Sequence, residues 1–350
     1  MINSNYSDIA EVYRNIFPDL EESEIKLYVY RYTPVFVNNI YNQIKNDLDI
    51  LKEYDKIILE TSTEAPHFED LFFFENVLKN HGINDIMMIN SGLDDDFNSK
   101  IVYNPLFISY DSKDFVPLKN RDKLYASLSR LVSCKLHRLY ITYELYKNNL
   151  LDDGIVTCGS AIEDNLKKDT LTFFPDDFLK IIPLCYDGMV VREEVSTNFM
   201  TIGDKCLINL VNETSFDLGE SVVYPGLFFN GNYAWTRPFI TEKTTKAFNS
   251  GQIPIFLSVK GYVSILKSMG YDMFEDIIDH SYDNNPNPDV RISMVVNEIK
   301  RLKNIGLNKL KLIYGLEDRL LYNKNHTKTL FNDFDKRYKL QIRSWFFTKK

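Results

Sequence analysis

Short apolar runs, four to eight residues long, alternate along this chain with segments of helical period. Such runs are too short for helices and too continuously apolar for one-sided strands, so they read as strands buried on both faces of a parallel sheet. Lys56–Leu59 (KIIL), Asp85–Asn90 (DIMMIN), Ile101–Ile108, Leu124–Ser127, Gly154–Cys158, Lys205–Val211 (KCLINLV) and Ile253–Leu257 are of this kind, and KLYVYRY at Lys26–Tyr32 alternates. Helical segments are expected at 7–23, at 37–53 (stripe Val37, Ile40, Ile44, Leu48, Leu51), at 67–80 closed by Gly82, at 137–149, 172–182 and 241–250, then at 261–269, 272–280 and 289–304. Strand and helix alternate, which specifies an α/β fold with mostly parallel sheets.

The 350 residues suit two domains at about 150 residues each. The series breaks in the polar stretch 110–122 and starts again. The expected organisation is an N-terminal Rossmann-like domain over 1–118 and a second over 119–305. A basic segment, 306–350, follows, helical and packing back toward the N-terminal half. Hydrophobic residues make up 44% and charged residues 26%, which excludes a disordered chain and a collagen. Cys134, Cys158, Cys185 and Cys206 lack paired metal-ligand spacing and read as reduced thiols. The first residues carry no basic, apolar leader, and no apolar run has the roughly 20 residues that span a bilayer. The expectation is a cytoplasmic protein without stable membrane insertion. The formal charge is −8, yet residues 286–350 hold 15 Lys and Arg against 6 Asp and Glu. That asymmetry points to a solvated helix face or a local contact with a polyanion.

No GxGxxG fingerprint follows any strand and no GxxxxGK[ST] occurs, which argues against dinucleotide enzymes and P-loop NTPases. Three segments carry chemistry instead. Ser129–Arg138 (SRLVSCKLHR) sets Arg130, Lys135, His137 and Arg138 where a strand turns into a helix, a setting that favours an anion such as a diphosphate. Val211–Ser215 (VNETS) follows the most apolar strand, so Glu213 and Thr214 sit at a strand end suited to sugar hydroxyls or to an ordinary turn. Phe239–Lys246 (FITEKTTK) offers Thr241 as an N-cap, with Glu242 and Lys243 in the first turn. A lysine there opposes the helix dipole and suits an anionic partner.

In this order, and followed by IPI at Ile253–Ile255 and by Gly261, the three segments resemble the nucleotide-sugar half of the α-1,3-fucosyltransferases and of related glycosyltransferases of phages and large viruses. The run Leu266–Asp283 (LKSMGYDMFEDIIDHSYD) and Arg291 resemble the phage set more closely. The resemblance spans about residues 120–300. It implies a GT-B fold, two Rossmann-like domains facing across a cleft, with the donor on the C-terminal one. It implies that Arg138 binds the donor diphosphate, with Arg130 and Lys135 nearby. Glu213 and Thr214 would stand where that family has Glu and Asn, and Thr241, Glu242 and Lys243 would meet the nucleotide-sugar. It further implies an inverting transfer from a GDP- or UDP-linked sugar, with no metal and no other cofactor. Asp94–Asp96 reads as an exposed turn.

An inverting transfer needs a base to deprotonate the acceptor hydroxyl. Glu60 and Glu64 are the candidates, with His67 third, at and after the strand Lys56–Leu59. The acceptor is expected to be a glycan. A hydroxylated base in duplex DNA is the alternative, favoured by the basic C-terminal region. A nucleotide-sugar-binding protein without turnover is the rival from another class. The oligomeric state is not legible.

Overall fold

The computed structural model describes residues 2–4, 7–21, 24–31, 37–61, 68–90, 101–103, 115–129, 136–159, 173–186, 202–213, 216, 238 and 240–348. The chain divides into two compact units. One comprises Met1–Ile108 with Leu330–Lys350, the other Ser109–Thr329. The division thus falls ten residues before the expected 118/119 boundary, and it cuts through the basic C-terminal segment.

The first unit contains, among its described residues, β1 (Ile2–Ser4), α1 (Ser7–Ile16), α2 (Pro18–Glu21), β2 (Leu27–Arg31), α3 (Val37–Leu51), β3 (Lys56–Thr61), α4 (Phe68–Asn80), β4 (Ile86–Asn90) and β5 (Ile101–Tyr103). The strands are parallel and lie in chain order, β1-β2-β3-β4-β5. The single helix expected over 7–23 is broken at Phe17-Pro18, because proline cannot donate within a helix and restricts the residue before it. α4 ends at Gly82 (φ 87°), whose amide reaches Lys79 O while that of Ile83 reaches Leu78 O. A left-handed glycine closes helices in this way.

Period-two alternation sends the strand side chains to two cores. Tyr28, Tyr30, Ile57, Leu59 and Met88 meet Ile44, Leu48 and Leu51 of α3 and Phe74 and Leu78 of α4. Leu27, Val29, Ile58, Met87 and Ile89 meet Ile9 and Tyr13 of α1 on the opposite face. The steps β1 to β2 and β2 to β3 run the same way across the sheet, yet α1 and α3 lie on opposite faces. The two connections therefore have opposite hands, against the strong preference for right-handed crossovers. β1 is a three-residue edge strand, so little pairing depends on the exception.

The second unit contains β6 (Lys123–Ser129), α5 (Leu136–Lys147), β7 (Gly154–Cys158), α6 (Asp176–Ile181), β8 (Cys206–Asn212), α7 (Glu242–Asn249), β9 (Ile253–Leu257), α8 (Tyr262–Ser268), α9 (Pro288–Ile305), α10 (Leu307–Lys311) and the start of α11 (Leu316–Phe347). Its described strands are also parallel, in the order β7-β6-β8-β9. The direction of winding reverses between β6 and β8. All seven residues of β8 and all five of β9 are buried, as continuous apolar runs require.

Arg121 holds the amino-terminal edge of this sheet. Its buried guanidinium donates to Cys206 O, Ser250 O and Val116 O. Burial lowers its pKa to about 10. Cys158 and Cys206 are buried and Cys185 is exposed. Cys134 lies outside the described residues.

The helix expected over 272–280 is absent; the segment is a series of turns. Asp272 accepts the amide of Phe274, and Asp279 that of Ser281, so aspartate side chains compete with helical pairing. Phe274 is left-handed (φ 56°). α11 clasps the segment: Arg319 grips both Asp272 and Asp276, and Asn323 pairs with the backbone of Asp272. Residues of α11 from Leu330 on belong to the first unit. There Tyr338, Ile342 and Phe346 join the α1-side core.

Candidate functional site

Where winding reverses, right-handed crossovers from adjacent strands leave on opposite faces, and the crevice between them is the usual ligand position of an open parallel sheet. Here that position is the carboxyl ends of β6 and β8. Ser127 and Ser129, two residues apart, share a face at the end of β6. Asn212 Nδ2 donates to both hydroxyls at 3.0 Å and ties the two strand ends together. No single segment of the sequence signals this contact.

Arg138 and His137 stand in the first turn of α5, both buried at 3% exposure. Arg138 Nη2 donates to Asn212 O at 3.4 Å. His137 Nε2 is 3.0 Å from Glu213 O, and its ring stacks on Phe216 (centroids 4.9 Å apart, 18° between planes). The first turn of α5 is thereby fixed against the end of β8.

Glu213 follows directly. Its amide donates to Leu257 O, at the end of β9. Its carboxylate accepts Thr241 Oγ1 at 2.7 Å, Thr244 Oγ1 at 2.5 Å and Tyr262 OH at 3.2 Å. The sequence leaves this carboxylate to sugar hydroxyls or to an ordinary turn; in the structure its oxygens accept hydroxyls of the protein itself.

Thr241 is the N-cap of α7, its Oγ1 accepting the Lys243 amide at 3.2 Å. Glu242 and Lys243 occupy the first turn and pair at 2.8 Å. Burial alone would raise the Glu242 pKa; the Lys243 ammonium, Lys246 and its own backbone amide outweigh that and hold it below the ordinary carboxylate value. The adjoining amino end of α8 is already filled: Asp283 Oδ1 accepts the Val263 amide and Oδ2 that of Ser264. Asp283, in the SYD triplet, is thus a cap.

Arg291, from the first turns of α9, is a neighbour that spacing alone does not reveal. It is 1% exposed. Nη1 donates to Ser258 O just beyond β9, and the guanidinium lies 5.0 Å from the Phe216 ring centroid. Its pairing with the Leu266–Asp283 run was the available signal.

The structure therefore brings Arg138, Glu213, Thr241, Glu242 and Lys243 together through shared contacts. Arg130, Lys135, Thr214, Glu64, His67 and Asp94–Asp96 lie outside the described residues. Glu60 is in the first unit, at the carboxyl end of β3 and on the face covered by α1; it is 1% exposed. Among the described residues no group of three or more His, Cys, Asp or Glu could hold a metal ion, and no helix is long and apolar enough to cross a membrane. No protein-family model, curated protein or solved structure matches this chain.

Proposed function

We propose that the protein is a glycosyltransferase that moves a sugar from a nucleoside-diphosphate donor to an acceptor hydroxyl, with inversion. One observation supports this reading above the others. Two cations, Arg138 and Lys243, sit in the first turns of two helices that meet the strand end at the winding reversal of the second sheet. Oriented amides, dipoles and paired cations are what a diphosphate needs.

In the proposed reaction a carboxylate takes the proton of the acceptor hydroxyl. The acceptor oxygen bonds to the anomeric carbon as its bond to the diphosphate breaks. Arg138 and Lys243 stabilise the charge that develops on the leaving diphosphate, while Glu242 meets donor hydroxyls. Glu60 and Glu64 are the proposed bases, which makes a GT-B arrangement of the two units part of the proposal. The acceptor is a glycan. The surplus of positive charge in residues 286–350 favours a second reading, a hydroxylated base in duplex DNA.

The test is thermal stabilisation by a panel of nucleoside diphosphates and their sugars. A ligand at 100 times its Kd adds about 2.7 kcal/mol to the native state. A shift with GDP or UDP that Arg138→Ala abolishes supports the donor site. The absence of any shift removes it. Salt-dependent retention of duplex DNA then separates the acceptors.

A further inference from the structure

We propose that Glu213 is a positioning residue. Its carboxylate holds the first turn of α7, and with it Glu242 and Lys243, in the donor-binding geometry, and does not itself contact the donor. This rests on the reading of the crevice as a nucleotide-sugar site.

The inference follows from a count of protons. The Thr241 hydroxyl donates to Oε2 and the Thr244 hydroxyl to Oε1. The Tyr262 hydroxyl lies 3.2 Å from Oε1 and 2.8 Å from Thr244 Oγ1, so its one proton reaches the carboxylate directly or through Thr244. Both carboxylate oxygens thus accept, and the residue is 0% exposed. A sugar hydroxyl would have to displace a hydroxyl of the protein to reach it.

What the carboxylate joins is the other half of the argument. Thr241 caps α7 through the amide of Lys243, and Thr244 lies one turn along the same helix. Tyr262 brings in α8. The Glu213 backbone adds α5 through His137 and the end of β9 through Leu257 O. One residue is therefore common to the elements that carry Arg138 and Lys243. A displacement of about 1 Å in such a group costs on the order of 100-fold in function.

The test uses the full chain, with Glu213→Gln, the pair Thr241→Val/Thr244→Val, and the three combined. Two quantities are measured: affinity for GDP and UDP by calorimetry, and hydrogen exchange of amides 242–246 in the ligand-free protein. Glu213→Gln and the hydroxyl pair are each expected to weaken diphosphate binding by roughly 10- to 100-fold. The combination should be no worse than either, because both break one clamp. Exchange at 242–246 should quicken while exchange in β9 stays slow. Tyr262→Phe, which leaves the carboxylate and both threonines, should give a smaller loss of the same kind.

An equal loss from Glu213→Gln with and without the two threonine hydroxyls would show a direct contact with the donor and overturn the proposal. So would unchanged exchange at 242–246. If neither diphosphate binds the wild-type chain, the nucleotide-sugar reading falls; quickened exchange would still support the clamp, and unchanged exchange would remove it.

Discussion

In the first sheet the described strands follow one another across the sheet in chain order, whereas in the second the order reverses between β6 and β8. Both sheets are parallel and both are buried on two faces. They differ in what stands at their carboxyl ends. In the second sheet Asn212 joins the buried hydroxyls of Ser127 and Ser129 across the reversal, and the buried Glu213 beside it accepts hydroxyls of Thr241, Thr244 and Tyr262. In the first, β3 ends with Glu60 and Thr61 in a sheet whose two cores are apolar and aromatic. Buried polar groups must be paired, and pairing across a reversal converges side chains from several elements.

The contrast can be broken most forcefully from below. Arg121 satisfies three carbonyls at the amino edge of the second sheet. Arg121→Ala leaves them buried without it and should cost about 3 kcal/mol. Hydrogen exchange should show the loss in β6 and β8 first, with β2 and β3 unaffected. Equal loosening of both sheets would mean that the two units do not open independently.

Asn212→Leu attacks the reversal itself. It deprives both serine hydroxyls of a donor and should cost about 2 kcal/mol by urea unfolding. Diphosphate binding should weaken more than stability alone explains. If binding is untouched, the reversal is not where the ligand sits.

Thr241→Ala is smaller still. Loss of the N-cap should cost about 1 kcal/mol. Thr241→Ser, which keeps the oxygen for the Lys243 amide and for Glu213, should recover most of it.

The last prediction concerns acid. Burial of Asp272 opposes its charge, but hydrogen bonds from Arg319 and from the Phe274 amide outweigh this and hold its pKa down. Asp276 is held down first by its hydrogen bonds to Arg319. Groups with depressed pKa values contribute stability above the unfolded carboxylate value of about 3.9 and lose it as pH falls through the folded value. Arg319→Ala should therefore be about 1 kcal/mol less stable than wild type at pH 7, with the gap closing below about pH 4. A constant gap would show that the effect is packing against Phe274, whose ring the guanidinium covers at 4.8 Å.

Several of these features were legible in the chain. The apolar runs KIIL, DIMMIN and KCLINLV announced β3, β4 and β8, because a strand buried on two faces has no polar side. Thr241 announced its helix, because capping is local. The segment 272–280 has the apolar spacing of a helix, but Asp272 and Asp279 divert the backbone into turns. Its place at a strand end marks Glu213, but nothing local marks its partners. Thr241, Thr244 and Tyr262 lie 28, 31 and 49 residues away in the chain, and only the fold sets them together. Ser127 and Ser129 escaped for the same reason.

The long α11 has a consequence for the order in which the chain becomes a protein. The first 108 residues leave the ribosome early, with β1 to β5 and α1 among them. One wall of their core arrives only with Tyr338, Ile342 and Phe346. The hydrogen bond between Tyr13 and Tyr338 closes a loop of 325 residues, the kind of non-local pairing that slows folding. Until the last turns of α11 are synthesised, Ile9, Leu27, Val29 and Ile58 lack their final cover. The second unit, contiguous from Ser109 to Thr329, has its own sequence complete before then. Of the two units, the one begun earlier is thus the one finished later.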